Sequence, residues 1–306
     1  VTGRCRRFQK ALARLALGNG RVPYYRNRPL DAYDPRVTRA IIVVHGAGGN
    51  FEAYFDRISE IVPSDWREKV IVIAPHFQDE NDAASGEFGW NGDWREGGDS
   101  GGISSYAVMD AIVGSLRNGT FPNLGWTIIC GHSAGGQFTQ RYAAFTDVDL
   151  QPAPNAALVK FVPANPSSYV YLNPYRYDSG ADRWQIPQDT CSGDYNDYKY
   201  GLDHLFDYAA MRGADWARSH LPGRWVELLA GTADTQADSD FDADCPAMQQ
   251  GSSRYERARN FSAFMDRFYP SNRFSLTPVP GIGHDSALMF SSPQGRRALF
   301  FPDEPR

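Results

Sequence analysis

Four short stretches of the chain hold residue types and spacings suited to nucleophilic attack on a carbonyl carbon. In Gly131-His132-Ser133-Ala134-Gly135-Gly136 a serine stands between glycines. That pattern suits a strained turn from strand to helix, which lifts the serine Oγ clear of a sheet. A serine hydroxyl is a weak nucleophile until a neighbouring base takes its proton, and histidine is suited to that task near neutral pH. Among six histidines, His284 has the best setting, the glycine-flanked Gly281-Ile282-Gly283-His284-Asp285 near the C-terminus. His132 lies inside the serine turn, and His76, His204 and His220 lack a glycine-flanked strand end. A carboxylate must then hold the imidazole in one tautomer and stabilise its cation. Asp234, in Gly231-Thr232-Ala233-Asp234, is first in position, with Asp238 the alternative.

Attack on a carbonyl leaves a negative oxygen, and each backbone N–H aimed at it is worth ~3–4 kcal/mol. The predicted donors are Ala134, which follows the serine, and Ala47, or Gly48 if the turn is shifted by one. Both of the latter lie in His45-Gly46-Ala47-Gly48-Gly49-Asn50, where the His45 imidazole reads as a structural tie. Trp90 and Trp94, with Tyr169 and Tyr171, are candidates to line a substrate pocket. The acidic run Asp238, Asp240, Asp242, Asp244 fails as a calcium-binding EF-hand loop: Ala243 stands where glycine is needed and Gln249 where glutamate is needed. It reads as a solvated loop. No histidine pair has helical metal-binding spacing, and no metal or cofactor is expected.

These residues need a scaffold, and the scaffold is legible in the apolar pattern. Residues 40–44, 70–74, 126–130 and 226–230 are short β-branched runs ending in turn residues, as strands buried on both faces would be. Residues 274–278 read as a further strand. Helical spacing follows in 104–116, 138–145 and 255–268, the last with Tyr255, Ala258, Phe261, Phe264 and Phe268 along one stripe. Residues 11–17 read as a short helix interrupted by Arg14. Strands alternating with helices predict an α/β fold with a mostly parallel central sheet flanked by helices. About residues 163–222 break the rhythm with Tyr, Asn, Asp and Pro, and read as a loop-rich insertion within a single domain spanning 1–306.

Each chemical stretch directly follows an expected strand, and their order is Ser, Asp, His. That order is the one found in α/β-hydrolases, not those of chymotrypsin-like or subtilisin-like proteases. The chain resembles the α/β-hydrolase superfamily over roughly residues 37–300. More narrowly it is similar to a mostly secreted, esterase-like group related distantly to polyhydroxyalkanoate depolymerases and feruloyl esterases. That likeness is carried by Asn165-Pro166-Ser167-Ser168-Tyr169, by residues 195–202 (YNDYKYGL) and by residues 245–251 (CPAMQQG). The resemblance implies a serine esterase with an acyl-enzyme on Ser133, acting on a small or polymeric ester. An amidase or peptidase with the same three residues is the alternative, and a non-catalytic binding module of the same fold a remoter one. It also implies a bond between Cys191 and Cys245 and an insertion that shapes the pocket.

Bulk properties narrow the partners. The chain has 306 residues, 42% of them hydrophobic, and a formal net charge of −5. An acidic balance argues against duplex nucleic acid, which needs clustered Lys and Arg. No stretch approaches the ~20 apolar residues that span a bilayer. Of four cysteines, Cys130 falls in a buried strand, Cys5 is unassigned, and Cys191 and Cys245 lie in polar loops. Pairing of the last two would fit an oxidising compartment, so a secreted or periplasmic location is expected.

Overall fold

The strand-forming runs assemble into one eight-stranded sheet in a computed structural model, which describes residues 8–155, 157–188 and 190–301. Cys5 lies outside the described residues. The strands are β1 (Ala11–Leu17), β2 (Gly20–Arg26), β3 (Arg39–Val44), β4 (Val70–Pro75), β5 (Trp126–His132), β6 (Leu158–Ala164), β7 (Trp225–Gly231) and β8 (Phe274–Val279). Their order across the sheet is β1-β2-β4-β3-β5-β6-β7-β8. The first three pair antiparallel and the remainder run parallel.

Every residue of β3 and β4 is buried, which explains why those runs are apolar without alternation. Successive side chains still point to opposite faces. Ile41 and Val43 join one core, while Ala40, Ile42 and Val44 join the other. Helix α1 (Phe51–Ile61) packs on the first face together with α8 (Ser286–Ser291) and α9 (Pro293–Phe300). Helices α2 (Ser105–Arg117), α3 (Ala134–Phe145) and α7 (Arg254–Phe268) cover the second, and α3 is buried on every side. The Ser104 hydroxyl caps α2 by accepting from the Tyr106 N–H, and Ser253 caps α7 through Glu256. The stripe read from residues 255–268 is core: Ala258, Phe261, Phe264 and Met265 are all fully buried.

Residues 11–17 form a strand, not the expected helix. Ala13, Leu15 and Leu17 alternate against the core while their neighbours face solvent, a period of two. The Gly18-Asn19 turn then folds the chain back on β2, pairing Leu17 with Gly20.

Between β6 and β7 regular structure is sparse. A small hairpin (Arg176–Asp178 with Arg183–Gln185) and two short helices, α4 (Asp207–Arg212) and α5 (Ala214–His220), are embedded in loops. Cys191 is bonded to Cys245, 54 residues on, at the start of α6 (Cys245–Met248), with 5.4 Å between the Cα atoms. The parallel register has one consequence for chemistry. Val44 pairs with Gly131, His132 with Ala164, Ala164 with Leu229 and Gly231 with Val279, so five strands end along one edge.

Candidate active site

Ser133 occupies the turn between β5 and α3 with φ 60° and ψ −120°, a left-handed conformation unusual for a residue with a side chain. Such strain costs roughly 1–3 kcal/mol and persists only where neighbours impose it. Here they do. A Cβ on Gly135 would lie 2.2 Å from the Val44 carbonyl oxygen, and one on Gly136 would lie 2.6 Å from that of Ala164. A Cβ on Gly131 would strike Gly135 itself at 2.3 Å. The glycines are therefore required for strand and helix to meet, and the Ser133 N–H is tied to the Ala164 carbonyl at 3.0 Å.

His284 and Asp234 converge from the two neighbouring strand ends. The imidazole Nδ1 lies 2.7 Å from Asp234 Oδ2. A carboxylate partner makes Nδ1 the protonated nitrogen, which leaves Nε2 with a free lone pair. Nε2 is buried and has no hydrogen-bond partner among the described residues. Asp234 is 3% exposed, and its turn is closed by its own N–H on the Gly231 carbonyl. Asn165, at φ 43°, joins the two loops: its amide donates to the Gly283 carbonyl at 3.1 Å and its oxygen accepts the Gly231 N–H at 2.8 Å. The His132 ring sits 4.5 Å from that of His284. Burial holds His132 far below the usual histidine range, so it adds no competing charge.

The loop after β3 is fixed by His45. Its Nδ1 meets the Gly46 carbonyl at 2.7 Å and its Nε2 accepts the Phe77 N–H at 2.9 Å, which sets the tautomer. Burial pushes its pKa down to about 4, so the ring is neutral. The turn itself is closed by the Gly49 N–H on the Gly46 carbonyl at 3.2 Å. Ala47 and Gly48 stand exposed at its tip, and nothing lies within 4 Å of where a Gly48 Cβ would be. Ala134 is the first residue of α3, where a backbone N–H has no partner within the helix.

The four aromatic residues expected to line a pocket are elsewhere, in the core. Trp90 is 1% exposed, donates to the Ile103 carbonyl and packs on Phe77. Trp94 is buried between His45, Phe77 and Phe138, supporting the loop from below. Tyr169 stacks on Phe261 at 4.7 Å, and Tyr171 packs on Phe261 and Phe264. The mass of apolar surface in each ring favoured burial over contact with a ligand. The acidic run is also more committed than a solvated loop. Asp238 pairs with Arg254, and Asp242 accepts from Ser168 and Tyr200. No cluster of metal-ligating side chains occurs among the described residues.

Asp238, the alternative acid, binds Arg254, while Asp234 is the carboxylate at His284. Two contributors lacked a sequence signal for their roles. Asn165 was marked only as the first residue of a stretch that carries the family likeness, and Arg254 fell just outside the helical stretch read from residues 255–268.

No known protein family and no curated protein sequence matches this chain. Solved structures do. The poly(3-hydroxybutyrate) depolymerase LpqC from Bordetella parapertussis is 24% identical with a TM-score of 0.64, covering 94% of this chain and 87% of its own. Poly(aspartic acid) hydrolase-1 from Sphingomonas sp. KT-1 is 22% identical with a TM-score of 0.65, covering 94% and 97%. A variant of LAE6, an alpha/beta hydrolase from the metagenome of Lake Arreo, Spain, is 13% identical with a TM-score of 0.50, covering 95% and 79%. With its mostly parallel sheet and flanking helices, this chain has the α/β-hydrolase fold.

Proposed function

We propose that the protein is a serine hydrolase that cleaves a carboxylic ester through an acyl-enzyme on Ser133. The observation carrying this reading is the 2.7 Å contact of His284 Nδ1 with Asp234, which leaves Nε2 as the lone pair of a general base. In the proposed reaction His284 takes the Ser133 proton as Oγ bonds to the carbonyl carbon. The oxygen left negative is held by the Ala134 N–H and by that of Ala47 or Gly48. His284 then protonates the departing alcohol, and water repeats the sequence to release the acid. Asp234 stays ionised throughout and stabilises the imidazolium.

Two solved neighbours support hydrolysis of a polymer, one named for a polyester and one for poly(aspartic acid), a polyamide. The second keeps an amidase reading in view, and paired ester and amide substrates separate the two. The Cys191–Cys245 bond supports a secreted or periplasmic location, since disulfides persist in oxidising compartments. No helix among the described residues is long and apolar enough to cross a membrane.

The test is hydrolysis of p-nitrophenyl esters from acetate to laurate by the wild type and by Ser133→Ala, with fluorophosphonate labelling alongside. Loss of both turnover and label in Ser133→Ala is expected. Turnover that survives the substitution would overturn the assignment.

A further inference from the structure

Arg254 is the first residue of α7 and is 1% exposed, an expensive place for a guanidinium unless its partners hold it. It forks onto Asp238 with two contacts of 2.8 and 2.7 Å, and its Nε donates to Ser167 Oγ at 2.8 Å. The same Nη1 lies 3.4 Å from Asp234 Oδ1, while Oδ2 of that carboxylate takes His284. Both oxygens of Asp234 are thus engaged, by different partners on opposite sides. The next residue helps: the Tyr255 N–H donates to the Asp234 carbonyl at 3.2 Å. Phe241 covers the guanidinium, its ring centre 5.3 Å away.

We propose that Arg254 is a positioning residue, and that Asp238 balances it, so that Asp234 faces His284 in one orientation without losing its charge to the arginine. The inference rests on the serine-hydrolase reading. An unbalanced Arg254 would compete with the imidazolium for Asp234. With Asp238 accepting both of its terminal nitrogens, the cation orients the acid and draws little from it. The Asp238 carboxyl is held below the ordinary range, first by its hydrogen bonds to Arg254, so it is ionised where the reaction runs. The ring of His132, neutral through burial, also faces His284, and Arg57 of α1 donates to Ser286 Oγ at 2.8 Å, two residues further on. Asp285 accepts the first amides of α8.

Removing the cation and removing its counter-charge must act in opposite directions on His284. The base works only when neutral, so the acid limb of kcat/KM follows its pKa. Arg254→Met takes away a nearby positive charge and moves that limb to higher pH, by about 0.5–1 unit. Asp238→Asn leaves the arginine unbalanced and moves it to lower pH, by roughly half as much. Arg254→Met also lowers kcat ~10- to 100-fold with KM little changed, less than the ~10⁴-fold loss on removing the acid. Arg254→Lys returns the limb to its wild-type position and recovers part of kcat.

The experiment measures p-nitrophenyl acetate kinetics against pH for the three variants, and the His284 imidazole titration by NMR without substrate. If Arg254→Met does not fold, Asp238→Asn and Arg254→Lys carry the test, because Asp238 has a 41% exposed side chain. Opposite shifts support the proposal. Shifts of the same sign, or none in an active enzyme, would overturn it. A wild type that neither turns over nor takes a fluorophosphonate label would instead sink the hydrolase reading on which it rests.

Discussion

The two halves of this chain solve the same problem in different ways. In the parallel sheet, backbone N–H and C=O groups pair with neighbouring strands, so β3 and β4 can bury six residues each without a polar side chain beyond Arg39. Between β6 and β7 the chain is as deeply buried in places but has little ladder to pair with. There arginines satisfy the carbonyls. Arg176, 2% exposed, donates to the carbonyls of Asn173, Tyr175, Tyr195 and Tyr200. Arg257 of α7, fully buried, donates to the Ser167 carbonyl of that segment and to those of Asp242 and Gly251 in the irregular stretch after β7. Burial pushes the Arg176 pKa down to about 10, which still leaves it charged at neutral pH. Buried backbone must find partners, and where periodic structure supplies none a planar five-donor fork does. The candidate site draws on both solutions. Its serine and histidine stand on the sheet edge, while its acid loop leans on Arg254 and the irregular segment around Ser167.

That contrast can be broken from either side. The largest effect is expected for Asp234→Asn, which removes the carboxylate from His284 and leaves the sheet intact. It should lower kcat ~10⁴-fold, about 5.5 kcal/mol of barrier, in p-nitrophenyl acetate assays. A loss below tenfold would remove Asp234 from the proposed mechanism. Arg176→Met attacks the irregular half instead. Stranding four carbonyls should cost about 4–5 kcal/mol in urea unfolding, and an unchanged midpoint would mean that water or another donor replaces the guanidinium. Changing both Cys191 and Cys245 to Ser should cost about 4 kcal/mol in the chain-entropy model for a 54-residue loop. A loss confined to residues near the bond, read by hydrogen exchange, would sharpen the division between the halves.

The smallest effect concerns pH. His45 is buried and its pKa lowered from 6.5 to about 4, so the unfolded chain binds the proton first. Its contribution is whole above about pH 6.5 and is lost as pH falls toward 4, about 3 kcal/mol in all. His132, lowered also by burial, acts with the same sign. Urea midpoints of the wild type should therefore drop across that interval, and more gently in His45→Gln. Equal slopes would mean that the loop opens and admits solvent before the molecule unfolds.

Much of the sheet edge was legible because its constraints are local. Gly131 is needed because a Cβ there would strike Gly135 of the same turn, Ser133 takes a positive φ in that turn, and the β-branched runs announce strands buried on both sides. Residues 11–17 misled because Ala and Leu suit a helix, and only the alternation and the Gly18-Asn19 turn favour a hairpin. The aromatic residues misled for a related reason. Trp94 and Tyr169 stand beside the right motifs in sequence, but proximity along the chain does not say on which side of the backbone a ring will fall.

By itself, the sequence determined where the serine turn and the glycine-rich loop would form and in what order their partners follow. These depend on φ and ψ limits and on period, which a few consecutive residues express. Only the tertiary structure decided that Asp234 meets His284 and that Asp238 turns to Arg254, pairings that span 50 and 16 residues. It alone also turned Asn165 into the link between two loops and Arg176 into a substitute for a ladder. Those roles arise when distant segments are packed together and each buried polar atom must find whatever partner the fold has brought within reach.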